Sequence, residues 1–263
     1  QRDSYWVDTD FFDIFDSSKY HLIQTGRFGY KEFPFCDMHD SIFVDSIHSG
    51  GQCVIEKRDN IKATVLLSNS HVSQWVGNGG DDSKARIIPP IVEPLPQATI
   101  DLRESFGISK DTVVFGMHQR VDDAIFSSLP LESFSRLHGD TAYILMGGSE
   151  RYRSQASNYE NVFFLDFSTI PEDISNFLSS LDVYAHGRLD GEVCSASIIE
   201  ALSFGLPVIS HSAQNNGHQE QIEGCGFFVS SMEEYLESMQ LLLDLGNRSR
   251  FSYNSAKKYE AIY

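Results

Sequence analysis

Short apolar runs alternate with amphipathic segments along most of the chain, and this alternation constrains the fold more than any other feature of the sequence. Most of the runs are continuously apolar, which indicates strands covered on both faces in a parallel sheet. The predicted strands are 20–26, 41–47, 63–69, 85–90, 112–118, 142–147, 161–167, 182–187, 207–211 and 226–230. The predicted helices are 71–77, 97–106, 129–138, 151–157, 171–180, 195–204, 217–223, 231–245 and 247–260. The pattern predicts an α/β protein with mostly parallel sheets.

A proline-rich segment divides the chain into two parts. Residues 87–99, "IIPPIVEPLPQAT", hold four of the eight prolines, which favours a stiff linker because proline removes a backbone donor and disfavours helix in the residue before it. The later part has enough strands and helices for a complete doubly wound domain, whereas the earlier part has too few for a full partner. We therefore predict a partial sub-domain with its linker over 1–95 and a ligand-binding domain over 96–263. We expect the chain to be either a piece of a longer protein or one with a reduced first domain.

The charge balance excludes several classes of partner. Lys plus Arg total 20 and Asp plus Glu total 37, so the net charge of −17 argues against nucleic acid and against anionic lipid. No apolar stretch is long enough to span a membrane, and no signal peptide is visible. The cysteines lack paired C-x-x-C spacing, which favours free thiols in a reducing compartment, and we expect a cytoplasmic protein. They are Cys36, Cys53, Cys194 and Cys225.

The segment "GEVCSASIIEALSFGLPVIS" (191–210) follows a predicted strand and opens a helix. Ser195 is a good N-cap residue, and the helix ends on Gly-Leu-Pro before the next strand. A loop at the carboxyl end of a parallel strand, leading into a helix, is where open α/β sheets bind ligands. We expect free N–H groups at Ser195, Ala196 and Ser197 to hold a phosphate there.

Two glutamates flank this helix start. Carboxylates accept paired hydrogen bonds from neighbouring hydroxyls, which is how acidic residues hold a ribose diol. Glu200 would then hold a ribose, and Glu192 would face a sugar at the other end of a diphosphate. The alternative is that both are ordinary glutamates, one in a surface loop and one on a helix face.

The segment resembles the Glu-x7-Glu signature of family-four retaining glycosyltransferases, which have the GT-B fold. The likeness extends over residues 100–263, including "NVFFLDFSTIPEDISNFLSSLDVYAHGR" before the signature and "NGHQEQIEGCGFFVSS" after it. It is loose over the first hundred residues. The residues that match the signature are Glu192, Glu200, Ala201, Gly205, Pro207 and Val208.

This resemblance implies a GT-B-like fold of two Rossmann-like sub-domains, the first truncated or reduced. It implies a hexosyltransferase that takes a sugar from a nucleotide diphosphate, most simply a UDP- or GDP-sugar, to a glycan, glycoconjugate or other hydroxyl acceptor. No metal and no further cofactor would be needed. In the family the first glutamate lies near the donor sugar and the second contacts the ribose, which assigns these roles to Glu192 and Glu200.

The family also places an arginine and a lysine, five positions apart, against the diphosphate. Arg120 fits the arginine, but the lysine position falls on Ile125. Without this cation the leaving group should depart more slowly, unless Arg188, His118 or the helix N-terminus compensates. The alternative for Arg120 is a surface ion pair with one of the aspartates of the VDD segment that follows it.

Further candidates come from the same resemblance. His186 and Arg188 border the predicted cleft, His48 follows a strand like the acceptor-side histidine of the family, and Phe167 would line the base pocket. The alternatives are a packed, hydrogen-bonded histidine for His186, an ordinary loop histidine for His48 and a core phenylalanine for Phe167. The polar turn 215–217 either grips the donor or is simply a turn.

Other functions are less favoured. A nucleotide-sugar-binding module without turnover, or a fragment of a larger transferase, is the main alternative, and an epimerase or phosphorylase is a third. No P-loop, strand-linked dinucleotide motif or metal-binding spacing is present, and the glycine-rich segment 77–83 is predicted as a surface loop.

Overall fold

The computed structural model describes residues 15–50, 58–159 and 161–263. The chain forms two compact units, here called unit 1 and unit 2, which are divided between Pro89 and Pro90. The division falls inside the proline-rich segment, where missing backbone donors prevent the chain from pairing with a sheet.

Unit 1 contains a parallel sheet of strand order β1-β2-β3-β4 among the described residues. Its strands are β1 (Ile23–Gly26), β2 (Phe43–Ser46), β3 (Ile61–Leu66) and β4 (Ala85–Ile87). Helix α1 (Asn69–Gly77) follows β3 and begins at Ser68, whose hydroxyl accepts the His71 N–H at 3.1 Å. The glycine-rich segment 77–83 leads into a short 3-10 turn, Asp82–Lys84. Within the segment, Gly80 packs directly against the Trp75 indole.

Unit 2 contains a parallel sheet of order β12-β10-β8-β5-β6-β7 among its described residues. Numbered along the chain, these strands have the order 3-2-1-4-5-6 of the doubly wound nucleotide-binding fold. The strands are β5 (Val113–Gln119), β6 (Thr141–Gly147), β7 (Val162–Leu165), β8 (Val183–Ala185), β10 (Val208–His211) and β12 (Gly226–Val229). A separate pair joins β9 (Gly191–Glu192) to β11 (Asn215–Asn216).

Helices connect the strands of unit 2 and cover its sheet. They are α2 (Leu102–Phe106), α3 (Leu129–Phe134), α4 (Glu150–Ala156), α5 (Pro171–Ser179), α6 (Ala196–Ser203), α7 (Gly217–Ile222), α8 (Met232–Leu241) and α9 (Leu245–Ile262). The prediction of an α/β fold with parallel, Rossmann-like sheets is confirmed, and every strand and helix predicted from the sequence is present.

Two of the differences from the sequence prediction depend on contacts between distant segments. Helix α2 begins at Leu102 and not at 97, because the side-chain oxygen of Asn176 takes the N–H groups of Thr99 and Ile100 and Asp101 caps the helix. The pair β9–β11 was not predicted, since two-residue strands paired over a long sequence separation leave no local pattern.

The core of unit 2 lies around β5, β6, β8 and β10. The hydroxyl of Tyr235, which is fully buried, lies within hydrogen-bond distance of two carbonyl oxygens, that of His186 just after β8 (3.0 Å) and that of Ile209 within β10 (3.2 Å). This contact in the core fixes the end of β8, from which a loop of the candidate site starts.

No helix among the described residues is long and apolar enough to cross a membrane. Cys36, Cys194 and Cys225 are free thiols, and Cys53 lies outside the described residues.

The contact between β10 and β12 leaves no room for a side chain at Gly226, because a Cβ built there overlaps the carbonyl oxygen of Val208. We expect Gly226→Ala to lower the free energy of unfolding by about 2 kcal/mol or more. Gly246→Ala is the matched control, since a Cβ at Gly246 in α9 meets only the end of the Asp244 side chain, at 3.1 Å. That variant should change stability by less than about 1 kcal/mol in urea denaturation. Equal midpoints for the two variants would contradict the close approach.

Candidate donor site at the strand switch point of unit 2

The candidate site lies where the strand order of unit 2 reverses, between β5 and β8. These strands pair in parallel, Phe115 with Val183 and Gly116 with Tyr184, so their carboxyl ends lie side by side. His118 stands at the end of β5, and His186 directly follows β8. Ligands of open α/β sheets bind in the crevice outside such a reversal point.

Glu200 lies in α6 and contacts the end of β5. Its Oε2 is 2.7 Å from Nε2 of His118, and both side chains are largely buried. The other ring nitrogen of His118, Nδ1, lies 3.2 Å from the hydroxyl of Tyr184, which is also 3.2 Å from the His118 carbonyl oxygen. Glu200 Oε1 has no partner among the described residues.

Glu192 lies in β9 and is held by a cation and a hydroxyl. Its Oε1 accepts from Arg188 Nη1 at 3.1 Å and from Ser195 Oγ at 3.3 Å, while Oε2 has no partner among the described residues. Burial raises the pKa of the Glu192 carboxyl, but the nearby His186 and Arg188 side chains outweigh burial and hold this pKa below its ordinary value. Glu192 is therefore an anion at neutral pH.

Two hydrogen-bonded groups of side chains, together here called the glutamate-to-glutamate run, lie between the two glutamates. The first joins Glu192 to Ser195, whose Oγ lies 3.1 Å from Ser197 Oγ. The second joins Tyr184 through His118 to Glu200. The Ser197 hydroxyl lies near that of Tyr184. Each glutamate uses one carboxylate oxygen in the run, and the other oxygen has no partner among the described residues.

The start of α6 is only partly open. The expectation of a free N–H at Ser195 was wrong, because this amide donates to Gln221 Oε1 at 2.6 Å, and Ser195 is fully buried. No local pattern indicates this contact, since Gln221 comes from the next helix along the chain, α7. The N–H groups of Ala196 and Ser197 have no acceptor among the described residues, as expected for the first turn of a helix.

Arg188 forms ion pairs with two carboxylates. Its Nε lies 2.6 Å from Asp190 Oδ1, and its Nη1 reaches Glu192. Burial lowers the pKa of Arg188, but Asp190 and Glu192 raise it by more, so the guanidinium stays charged. Asp190 and Glu192 therefore neutralise the charge of Arg188 locally, so its attraction for a diphosphate is weak.

His186 is almost completely buried at the end of β8. Its Nδ1 lies 2.8 Å from Ser210 Oγ, whereas Nε2 has no hydrogen-bond partner among the described residues and lies 3.8 Å from Glu192 Oε1. That distance is too long for a hydrogen bond. A buried nitrogen without a hydrogen-bond partner is unusual, and this one lies beside the Glu192 carboxylate.

Two further histidines, which sequence reasoning missed, fix the backbone of the glutamate loop. His218 Nδ1 accepts the Glu192 N–H at 3.3 Å, and its Nε2–H donates to the carbonyl of His211 at 3.0 Å. His211 Nε2 accepts the Arg188 N–H at 3.2 Å. Burial lowers the pKa of both histidines, that of His218 to about 4, so both are neutral acceptors at pH 7.

Arg120 follows β5 and is mostly exposed, with Nε 4.0 Å from Asp122 Oδ2. This long contact agrees with the surface ion pair weighed from the sequence and leaves the guanidinium accessible. Ile125, at the lysine position of the family, is 7% exposed, and its carbonyl accepts the Leu189 N–H. That side chain is apolar and buried, so it supplies no charge to the site.

The remaining predicted residues are spread more widely. Phe167 is 47% exposed, so the core alternative was wrong for it, and it lies in the loop after β7 near Gly147. His48 is exposed in unit 1, just after β2. In the turn 215–217, the Asn215 side chain donates to the Asp190 carbonyl at 3.0 Å, which ties the turn to the glutamate loop. Among the described residues, no group of His, Cys, Asp and Glu is arranged to hold a metal ion.

Solved structures that are similar to the chain are GT-B glycosyltransferases. Sucrose-phosphate synthase from Thermosynechococcus elongatus superposes with a TM-score of 0.75 at 18% identity, over 93% of this chain and 70% of that one. HepE from Anabaena in complex with UDP-glucose gives 0.65 at 16% identity, over 85% and 69%. WaaG, a glycosyltransferase involved in lipopolysaccharide biosynthesis, gives 0.66 at 15%, over 86% and 76%. At these identities the likeness shows the fold, which is that of the GT-B class.

The family follows from the sequence itself. The model of the family described as glycosyl transferases group 1 matches residues 100–258, which is more than half of the chain. The chain belongs to the glycosyl transferases group 1 family. No curated protein sequence matches it.

The neutral state of His218 predicts how stability depends on pH. Its pKa is about 4 in the folded protein and near 6.5 when unfolded, so between these values the unfolded chain binds more protons. Stability is therefore fully present above pH 6.5 and is lost as the pH falls towards 4, by at most about 3 kcal/mol from this residue. His218→Asn should flatten the dependence, measured as unfolding free energy against pH.

The control for this experiment is the exposed His138, replaced by the same residue in His138→Asn. It should leave the pH dependence of the wild-type protein unchanged. Identical slopes for all three proteins would show that His218 is not held neutral by the fold.

Proposed function

We propose that the chain is a metal-independent, retaining glycosyltransferase that moves a sugar from a nucleotide-diphosphate sugar to a hydroxyl of a glycan or another acceptor. Membership of the glycosyl transferases group 1 family gives glycosyl transfer as the coarse activity. The stereochemical outcome, the independence of metal and the roles of individual residues are the finer parts of the proposal.

The glutamate-to-glutamate run carries the proposal. It holds the Glu192 and Glu200 carboxylates at the switch point of a doubly wound sheet, with one oxygen of each carboxylate free of partners among the described residues. Carboxylate oxygens that are held in place and have no other partner accept hydrogen bonds from hydroxyl groups. Glu200 Oε1 is suited to the ribose and Glu192 Oε2 to the sugar that is transferred.

The diphosphate would lie between these two oxygens. As the bond to the anomeric carbon breaks, negative charge builds on the departing phosphate oxygen, and groups that are already oriented stabilise it best. The first-turn amides of Ala196 and Ser197 and the accessible guanidinium of Arg120 are the donors proposed for this role. His186 Nε2, buried and unpartnered near Glu192, is a further donor or acceptor for the bound sugar.

The nature of the donor is proposed by similarity. HepE, which the chain resembles in fold, is a structure with bound UDP-glucose. A UDP-sugar is therefore the first donor to test, with GDP-sugars next. The exposed ring of Phe167 is proposed to cover the base, and His48 in unit 1 is proposed to serve the acceptor.

Binding without turnover is the second candidate function. It is favoured by the buried Ile125 at the lysine position and by Arg188, whose charge is balanced by Asp190 and Glu192. With these two groups unable to meet the diphosphate, Arg120 is the remaining cationic side chain proposed to contact it. Such a site would still recognise a nucleotide sugar.

A panel of UDP-, GDP-, ADP- and TDP-sugars tests donor recognition by thermal shift. At 100 times its dissociation constant, the correct donor should stabilise the protein by about 2.7 kcal/mol. Glu200→Gln should weaken this binding about tenfold or more by removing a charged acceptor, whereas Glu237→Gln, an exposed site in α8, should not change it. A panel in which no compound shifts the melting temperature would contradict the proposal.

Product analysis separates transfer from binding alone. A transferase releases free nucleotide diphosphate from the donor, in the presence of EDTA as well, and gives a product with the donor's anomeric configuration. Arg120→Ala should lower donor affinity roughly tenfold under either function, and should also slow release under the first. Arg136→Ala, exposed just before β6 at the opposite end of the strands, is the control. Donor binding with no release of diphosphate from any sugar would favour the binding module.

A further inference from the structure

The contact between His118 and Glu200 holds the Glu200 carboxylate in one position. The two side chains come from different elements, β5 and α6, and lie 82 residues apart in the sequence. Their contact of 2.7 Å is short for a nitrogen and an oxygen, as expected when the acceptor is ionised. His118 is 11% exposed and Glu200 is 18% exposed at the side chain, so water weakens the interaction only in part.

The ring of His118 has little freedom to turn. It packs edge-on against the rings of Phe177 from α5 and Tyr184 from β8, with ring centroids 5.5 Å away in both cases. Its Nδ1 is also within 3.2 Å of the Tyr184 hydroxyl. Aromatic packing on two sides together with a hydrogen bond fixes the direction in which Nε2 points.

The hydrogen-bond pattern keeps Nε2 as a donor in both charge states of the ring. An ionised Glu200 can only accept, so Nε2 carries a hydrogen at this distance. When the ring is neutral, Nδ1 accepts from the Tyr184 hydroxyl. When it is charged, Nδ1 donates to that hydroxyl, which then donates to the His118 carbonyl oxygen, also at 3.2 Å. Glu200 is therefore held either way.

From this geometry we infer that His118 is a positioning residue: it holds Glu200 so that Oε1 alone is presented to the nucleotide, and it thereby sets the preference of the site for ribose over 2′-deoxyribose. This inference rests on the proposed function, in which Glu200 binds the ribose. A carboxylate free to rotate would spend part of its time in orientations that do not meet the sugar, and its selectivity would fall.

The test measures binding of UDP and 2′-deoxy-UDP, and in parallel GDP and 2′-deoxy-GDP, by titration calorimetry. The wild-type protein should bind one ribonucleotide at least about tenfold more tightly than its deoxy form. In His118→Leu that ratio should fall to about threefold or less, mainly through weaker ribonucleotide binding. His118→Gln, whose amide can still donate to Glu200, should keep more of the ratio than His118→Leu.

A double-mutant cycle tests whether His118 acts through Glu200. In the Glu200→Ala background, His118→Leu should have no further effect on the ratio, because the group that it orients is gone. Thermal unfolding of each variant checks that the site is folded, and a purely structural loss would weaken ribo- and deoxyribonucleotide equally.

The outcomes separate the two proposals. If the wild-type protein binds none of these nucleotides, the proposed function fails and this inference fails with it. If the wild-type protein is selective and folded His118→Leu is equally selective, only the positioning role is overturned. Additive effects of the two substitutions on the ratio would also overturn it.

Discussion

The hydrogen bond between His118 and Glu200 is the interaction on which the rest of the site depends. It joins the end of β5 to helix α6 across the point where the strand order reverses, and Tyr184 of β8 continues the connection. A second group, Ser197, Ser195 and Glu192, lies at the start of α6. The two carboxylates are thus fixed in place, each with one oxygen that has no partner among the described residues.

The loop that carries Glu192 is held by two neutral histidines and one charged arginine. Buried His211 and His218 accept backbone N–H groups, a role that protonated histidine cannot fulfil. Arg188 forms ion pairs with Asp190 and Glu192 of the same loop. Because burial keeps the two histidines neutral, the loop geometry is secured without adding positive charge, and the anionic character of Glu192 is retained.

The fold was largely predictable from the sequence because continuous apolar runs and helix caps are local signals. The site was predictable only where a motif is local, as for Glu192, Glu200 and the cap at Ser195. Two features were not predicted because they depend on contacts between distant segments. The Ser195 N–H donates to Gln221 Oε1, and β9 pairs with β11. The support from His118 was also missed, although its place at the end of the first strand of a doubly wound sheet was a usable signal.

The most direct test is a crystal structure of the protein with UDP bound. We expect a ribose hydroxyl within about 3 Å of Glu200 Oε1, with the diphosphate against the amides of Ala196 and Ser197 and the His118–Glu200 contact intact. A nucleotide bound elsewhere in unit 2, or a ribose that leaves Glu200 Oε1 without a hydroxyl partner, would contradict it.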